Sequence, residues 1–187
     1  MAPEIGIPGT LKPVITAAQI QQRIADLCRQ INADYKGKTL YAVGVLEDGF
    51  VFLADVIRQL EMPVICQFLK PETRMVEYAG HTTTEIFFSP EVDVRGGEVI
   101  LFHGLLQSGI TTEFLIRNLT ARGAASVKVA ALLDRQTGRR VMLQPDYFGF
   151  LVDETYVFGY GLGNPKMGRN LPYVATAAEA SAQNSAR

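Results

Sequence analysis

The chain has 187 residues, 48% of them hydrophobic and 20% charged, with a formal net charge of -1. That length suits one domain with a substantial core, and the near-neutral balance excludes bulk electrostatic binding to nucleic acid, which needs a basic face. No apolar run approaches the roughly 20 residues that cross a bilayer, and the first residues (MAPEIGIPGTLKP) lack a basic-then-apolar leader. A cytoplasmic protein without membrane or nucleic-acid partners is expected, with Cys28 and Cys66 as buried free thiols.

In chain order, Thr16-Ala17-Ala18-Gln19 has the spacing of a capping box and predicts a helix start. Ile20, Ile24, Leu27 and Ile31 then form its apolar stripe until Tyr35-Lys36-Gly37 stops it. Residues 39–46 read as a buried strand, Glu47-Asp48-Gly49 as a turn, 50–60 as a helix and 63–69 as a second buried strand. Two such strands around one helix predict a right-handed crossover unit. The Thr-rich run HTTTEIFFS within 75–89 predicts a mobile hairpin. The sheet resumes at 98–102, followed by a helix over 111–122 with Phe114, Leu115 and Leu119 inward, and by strands at 126–133, 147–151 and 156–159. The domain is expected to end near 174, and the small polar residues of 175–187 predict a disordered tail.

The run EVILFHGLLQSGITTEFLIRNLTARGAASV carries the chemistry. It reads as a strand, the loop Gln107-Ser108-Gly109-Ile110-Thr111, then a helix, so backbone N–H groups and two hydroxyls meet the positive end of a helix dipole. Those are the requirements for holding a phosphate, against the alternative of an ordinary strand-to-helix turn. No carboxylate lies between Glu98 and Glu113, so the loop offers no evident acid, base or metal ligand. Strand–helix alternation predicts an α/β fold with a mainly parallel central sheet flanked by helices. Ligands bind beyond the carboxyl ends of such strands, where the loops at 47–49, 70–89, 103–111 and 134–137 would converge. Gly159-Tyr160-Gly161-Leu162-Gly163 lacks the following helix that a dinucleotide loop requires.

On ITAAQIQQRIADLCRQINADYKGK, GFVFLADVIRQL, LTARGAASVKVAALLDRQTGRR and PDYFGFLVDETYVFGYGLGNPKMGRNLPY, the chain resembles the hypoxanthine-guanine phosphoribosyltransferases of purine salvage. The resemblance implies the type I phosphoribosyltransferase fold, with a small hood from the N- and C-terminal segments. It also implies a homodimer or homotetramer, and a purine nucleotide or phosphoribosyl compound as ligand. The family joins a purine base to phosphoribosyl pyrophosphate with magnesium.

Its signature loop has an acidic pair, which His103 and Gly104 replace here, and a proton-accepting Asp, which Gln107 replaces. Ser108, Gly109, Ile110, Thr111 and Thr112 keep the segment that grips the 5′-phosphate. The resemblance further implies purine contacts from Arg135, Tyr147, Phe148 and Glu154. On the pyrophosphate side it implies Glu47, Asp48, Gly49 and Arg169, with Gly163 replacing an Asp. Glu47 stands where the family has Lys. A carboxylate about 4 Å from a phosphate oxygen is repelled by roughly 4 kcal/mol at an effective dielectric of 20. The charge pattern therefore predicts a nucleoside 5′-monophosphate binder with impaired catalysis and no protein-held metal. The alternatives are an active enzyme using magnesium, with His103 as substitute acid or base, and a non-catalytic partner subunit. His103 could equally be a hydrogen-bonded loop residue, Glu47 and Asp48 a solvated turn, and Tyr147 plain core.

Overall fold

The computed structural model describes residues 11–78, 81–87, 92–153, 156–163 and 168–177. The first half runs β1 (Leu11–Ile15), α1 (Ala17–Asp34), β2 (Leu40–Val45), α2 (Phe50–Ile57), β3 (Val64–Leu69), β4 (Glu72–Tyr78) and β5 (His81–Phe87). The second runs β6 (Glu98–Leu106), α3 (Ile110–Ala121), β7 (Ser126–Asp134), β8 (Tyr147–Leu151), β9 (Val157–Phe158) and β10 (Val174–Ala177).

Helix α1 begins at the predicted capping box. The Thr16 hydroxyl accepts the Gln19 N–H at 3.3 Å, and the Gln19 side chain accepts the Thr16 N–H at 2.8 Å. The central sheet has five strands in the order β3-β2-β6-β7-β8, and every neighbouring pair is parallel. Its two faces follow from the two-residue period of a strand. Leu40, Ala42, Ile100, Phe102, Ala130 and Leu132 point to one side, against Ile20, Ile24 and Leu27 of α1 and Phe52, Leu53 and Val56 of α2. Val43, Val45, Val99 and Leu101 point the other way, against Leu115 and Leu119 of α3. Covering both faces suits a parallel sheet, and Phe52 and Phe102 meet edge to face at 5.8 Å. This is the predicted α/β class. A separate antiparallel sheet, β1-β10-β9, joins the two terminal segments as the expected hood.

Three expectations are revised, and the expected hairpin is present. Strand β6 continues past 102 to Leu106 because its apolar end keeps pairing with β7, so His103 lies opposite Ala131 in the sheet rather than in a loop. Strand β10 runs to Ala177, with Ala175 fully buried, so 175–177 belong to the hood; residues 178–187 lie outside the described residues. The Thr-rich segment forms the β4–β5 hairpin, paired from Glu72 with Phe87 to Tyr78 with His81. Cys28 is buried as expected, but Cys66 is exposed because β3 is the edge strand. No helix among the described residues is long and apolar enough to cross a membrane.

Candidate functional site

At the carboxyl end of the sheet a cavity of about 330 Å³ is lined by Asp48, Leu105, Gln107, Arg135, Tyr156, Val157, Leu162 and Gly163. The turns that follow β2, β6 and β7 meet there, where an open parallel sheet places its ligands. A larger hollow of about 690 Å³, lined by Arg29, Asn32, Lys36, Glu61 and neighbours, lies by the end of α1 and the residues leading into β2 and β3. That is the amino pole of the sheet, away from the converging turns.

Local sequence builds the first wall. Gly109 adopts φ +79°, a conformation that costs other residues, and turns β6 into α3. No side chain caps α3, and its first helical bond runs from the Glu113 N–H to the Gly109 carbonyl at 2.8 Å. Ile110, Thr111 and Thr112 therefore form the anion-attracting first turn. The Thr112 side chain does not face a ligand: it is buried, with its hydroxyl 3.4 Å from His103 Nε2. His103 is buried too, and burial pushes its pKa down to about 4, so the imidazole is neutral at pH 7. It ties the strand to the helix and does not line the cavity. Gln107 does, exposed at the mouth.

The second wall is the 47–49 turn. Arg169 donates from Nη1 to Asp48 Oδ1 at 3.0 Å and to the Gly161 carbonyl at 2.7 Å, while Nη2 lies 3.3 Å from Glu47 Oε2. Lys70 Nζ stands 3.4 Å from the other Glu47 oxygen. Glu47 and Asp48 are thus ion-paired, while their side chains stay 45% and 48% exposed, as in a solvated turn. Burial raises the Asp48 pKa, Arg169 opposes that rise, and Glu47 adds to it. The turn presses close to β6: a Cβ at residue 104 would lie 2.3 Å from the Asp48 carbonyl oxygen and 2.7 Å from Leu162. Gly104→Asp is accordingly expected to destabilise the fold by about 1–3 kcal/mol, through overpacking against backbone. Urea unfolding checks this, and an unchanged midpoint would refute the contact.

The third wall follows β7. Arg135 donates its backbone N–H to the Leu106 carbonyl at 2.9 Å, which sets its side chain at the cavity. Behind it, Arg139 pairs with the buried Asp134 carboxylate, bonds the Leu143 carbonyl, and donates to the Arg135 carbonyl at 3.2 Å. The Arg140 N–H bonds the Ser108 carbonyl at 2.9 Å, so this segment braces the 107–109 turn. Nothing in the local pattern pointed to Asp134 or Arg139.

Two expected purine contacts lie elsewhere. Tyr147 starts β8 opposite Ala130, whereas the cavity lies beyond the other end, where Leu151 pairs with Asp134. Its ring is buried; its hydroxyl donates to Asp34 at 2.5 Å and accepts from Lys128 at 3.2 Å. The Phe148 carbonyl accepts from Arg23 at 2.7 Å, so it serves α1 and reads no ligand edge. The residues that do line this wall are Tyr156, Val157, Leu162 and Gly163, around β9. The available signal was the glycine-punctuated run 159–163 behind an exposed tyrosine. Glu154 lies outside the described residues.

Among the described residues no group of three or more His, Cys, Asp or Glu side chains could hold a metal ion. With 103–109 free of carboxylates and Glu47 and Asp48 engaged by Arg169, the described residues offer no donor set for a protein-held magnesium ion.

A parallel sheet with its cavity at the β6–α3 turn defines the class: the phosphoribosyl transferase domain, whose family model matches residues 15–164. Among curated relatives, the hypoxanthine-guanine phosphoribosyltransferase of Mycobacterium avium is 31% identical over 176 residues, covering 90% of this chain and 87% of that one. A crystal structure of a hypoxanthine-guanine phosphoribosyltransferase from Bacillus anthracis superposes with a TM-score of 0.79 at 28% identity, covering 90% of this chain and 99% of that one. The chain belongs to the hypoxanthine-guanine phosphoribosyltransferase family. It also matches the bifunctional protein TilS/HprT of Listeria innocua, at 31% identity over 87% of this chain, but spans only 25% of that relative's length.

Proposed function

We propose that the chain is a purine phosphoribosyltransferase of the hypoxanthine/guanine type, whose cavity holds the nucleoside 5′-monophosphate product. The observation that carries this reading is the meeting, in one cavity, of the turn leading into α3 with Arg135 and the exposed ring of Tyr156. The 5′-phosphate takes the N–H groups of 108–112, Arg135 donates to an oxo group of the base, and Tyr156 and Val157 face its ring. A volume near 330 Å³ falls at the lower end of small-molecule sites. The Mycobacterium avium and Bacillus anthracis relatives, hypoxanthine-guanine phosphoribosyltransferases matched over 87% and 99% of their length, favour turnover.

In the transfer, the bond from a ring nitrogen of the base to C1′ of the ribose forms as the C1′–O bond to pyrophosphate breaks and pyrophosphate leaves with that electron pair. The base gives up its N–H proton to solvent. Gln107 accepts a hydrogen bond but takes up no proton near neutral pH, so turnover is expected to be slowed by about 10²–10⁴ where a side-chain base would otherwise act. A second reading, nucleotide binding without turnover, is favoured by the two carboxylates on Arg169.

Calorimetric titration with IMP, GMP and phosphoribosyl pyrophosphate, with and without magnesium, beside assays of nucleotide formation from hypoxanthine and guanine, separates the readings. Turnover supports the first. IMP binding without turnover supports the second, and absence of both binding and turnover sinks the two together. Ser108→Asp is expected to weaken IMP at least 100-fold, because it sets a carboxylate against the phosphate; unchanged affinity would move the phosphate elsewhere.

A further inference from the structure

We infer that Asp55 and Tyr160 form a positioning pair for the reaction. The carboxylate on α2 holds the turn at 159–162, and through it the wall of Val157, Leu162 and Gly163, in the placement that faces the base. This deepens the transferase reading and rests on it.

Gly159 and Leu162 exchange backbone N–H···O bonds at 3.2 and 2.9 Å, and the residues between them, Tyr160 and Gly161, have φ +51° and +85°. Positive φ at both central positions marks a type I′ turn, which ordinarily takes Asn, Asp or Gly first. Among the described residues Tyr160 is the one non-glycine with positive φ. A bulky residue held there is an outlier that persists only where its surroundings enforce it.

The enforcement comes from α2. The Tyr160 ring is buried, and its hydroxyl donates to Asp55. The Asp55 side chain is 15% exposed, and two further donors aim it: Gln21 Nε2 of α1 reaches the same oxygen at 3.2 Å, and the Arg58 guanidinium takes the other. A hydrogen bond to a carboxylate out of water is among the strong ones. Burial and the Asp55 bond both push the phenol pKa up, so the hydroxyl stays a donor. The turn is also seated on the start of α2, since a Cβ at residue 161 would lie 3.0 Å from the Val51 side chain. From this anchored tip the chain carries Leu162 and Gly163 into the cavity, beside Val157 of β9, and the Gly161 carbonyl accepts from Arg169 at 2.7 Å. The residues lining the cavity include neither Asp55 nor Tyr160, so the pair acts through the wall that it holds.

The test compares the full chain with its Tyr160→Phe variant, which keeps the ring in the core and removes only the bond. Hydrogen–deuterium exchange follows the Tyr160 and Gly161 amides, which donate to the Leu171 and Arg169 carbonyls at 2.8 and 2.9 Å. In the variant they are expected to exchange about tenfold faster or more, while the amides of β6 keep their rates. By calorimetry the variant is expected to bind IMP about tenfold more weakly or worse, but ribose 5-phosphate, which lacks the base, within about twofold of wild type. Asp55→Asn keeps an acceptor oxygen for the hydroxyl and should hold IMP affinity within about threefold of wild type. Unchanged exchange in Tyr160→Phe, equal weakening of both ligands, or a tenfold IMP loss in Asp55→Asn overturns the inference. Should a variant not fold, wild-type exchange decides: protection of the two amides like that of β6 supports the anchor, and exchange like an open loop overturns it. A wild type that ignores IMP yet shows the exchange pattern loses the nucleotide reading and keeps the anchored turn.

Discussion

Arg139→Ala is expected to destabilise the protein by about 3–5 kcal/mol, the cost of leaving a buried carboxylate without its partner. The Asp134 side chain is 4% exposed and that of Arg139 14%, so water cannot take over the pairing. The same substitution strips bonds from the Leu143 and Arg135 carbonyls, the latter at the foot of the cavity. Since the Arg140 N–H also holds the Ser108 carbonyl, the 107–109 turn loses its brace, and IMP binding is expected to weaken beyond what the lost stability explains. Urea unfolding and calorimetry read the two effects. Arg139→Lys should fall between, because it keeps the charge but not the fork, and the paired Asp134→Leu/Arg139→Met variant should cost far less than Arg139→Ala. A loss below 1 kcal/mol for Arg139→Ala would show that the pair is not the brace.

The second large effect is on pH dependence. Burial holds His103 at a pKa of about 4, against an ordinary value of 6.5. Between those values the unfolded chain carries a proton that the folded chain does not, so stability falls as pH drops through this window and is level above about pH 7. The span corresponds to roughly 3 kcal/mol at 1.36 kcal/mol per pKa unit. His103→Gln should abolish that slope. The difference between wild type and variant in urea unfolding, from pH 4.5 to 7.5, isolates it from the carboxylates common to both. Matching slopes would mean that the imidazole is hydrated and charged. A neutral His103 also implies that any turnover has no pH dependence from this residue between pH 6 and 8.

How far the chain could be read from its residues depended on the range of each interaction. The capping box at Thr16 and Gln19, the stripe of α1 and the apolar run that opens β6 involve neighbours a few positions apart, and all were legible. The β6–α3 turn was legible for the same reason: Gly109 and the small residues around it dictate their own geometry. Tyr147 was not. Its aromatic ring suits a ligand or a core equally, and only the parallel register, which sets it opposite Ala130, assigns it to the far end of the strand. His103 carried a similar ambiguity, removed when β6 extended past it and buried the imidazole beside Thr112. Tyr156, Val157 and Leu162 were not singled out because the glycine-punctuated run beside them reads as a turn and says nothing of which long-range neighbours it will meet.

The sequence by itself determined the order of the elements from α1 to β9, the α/β class and the phosphate-type turn, because short-range hydrogen bonding and apolar patterning are written in adjacent residues. Only the tertiary structure decided which charges meet. Arg169 reaches Asp48 across 121 positions, and whether a turn carboxylate also meets a half-buried guanidinium depends on a packing geometry that no local pattern encodes.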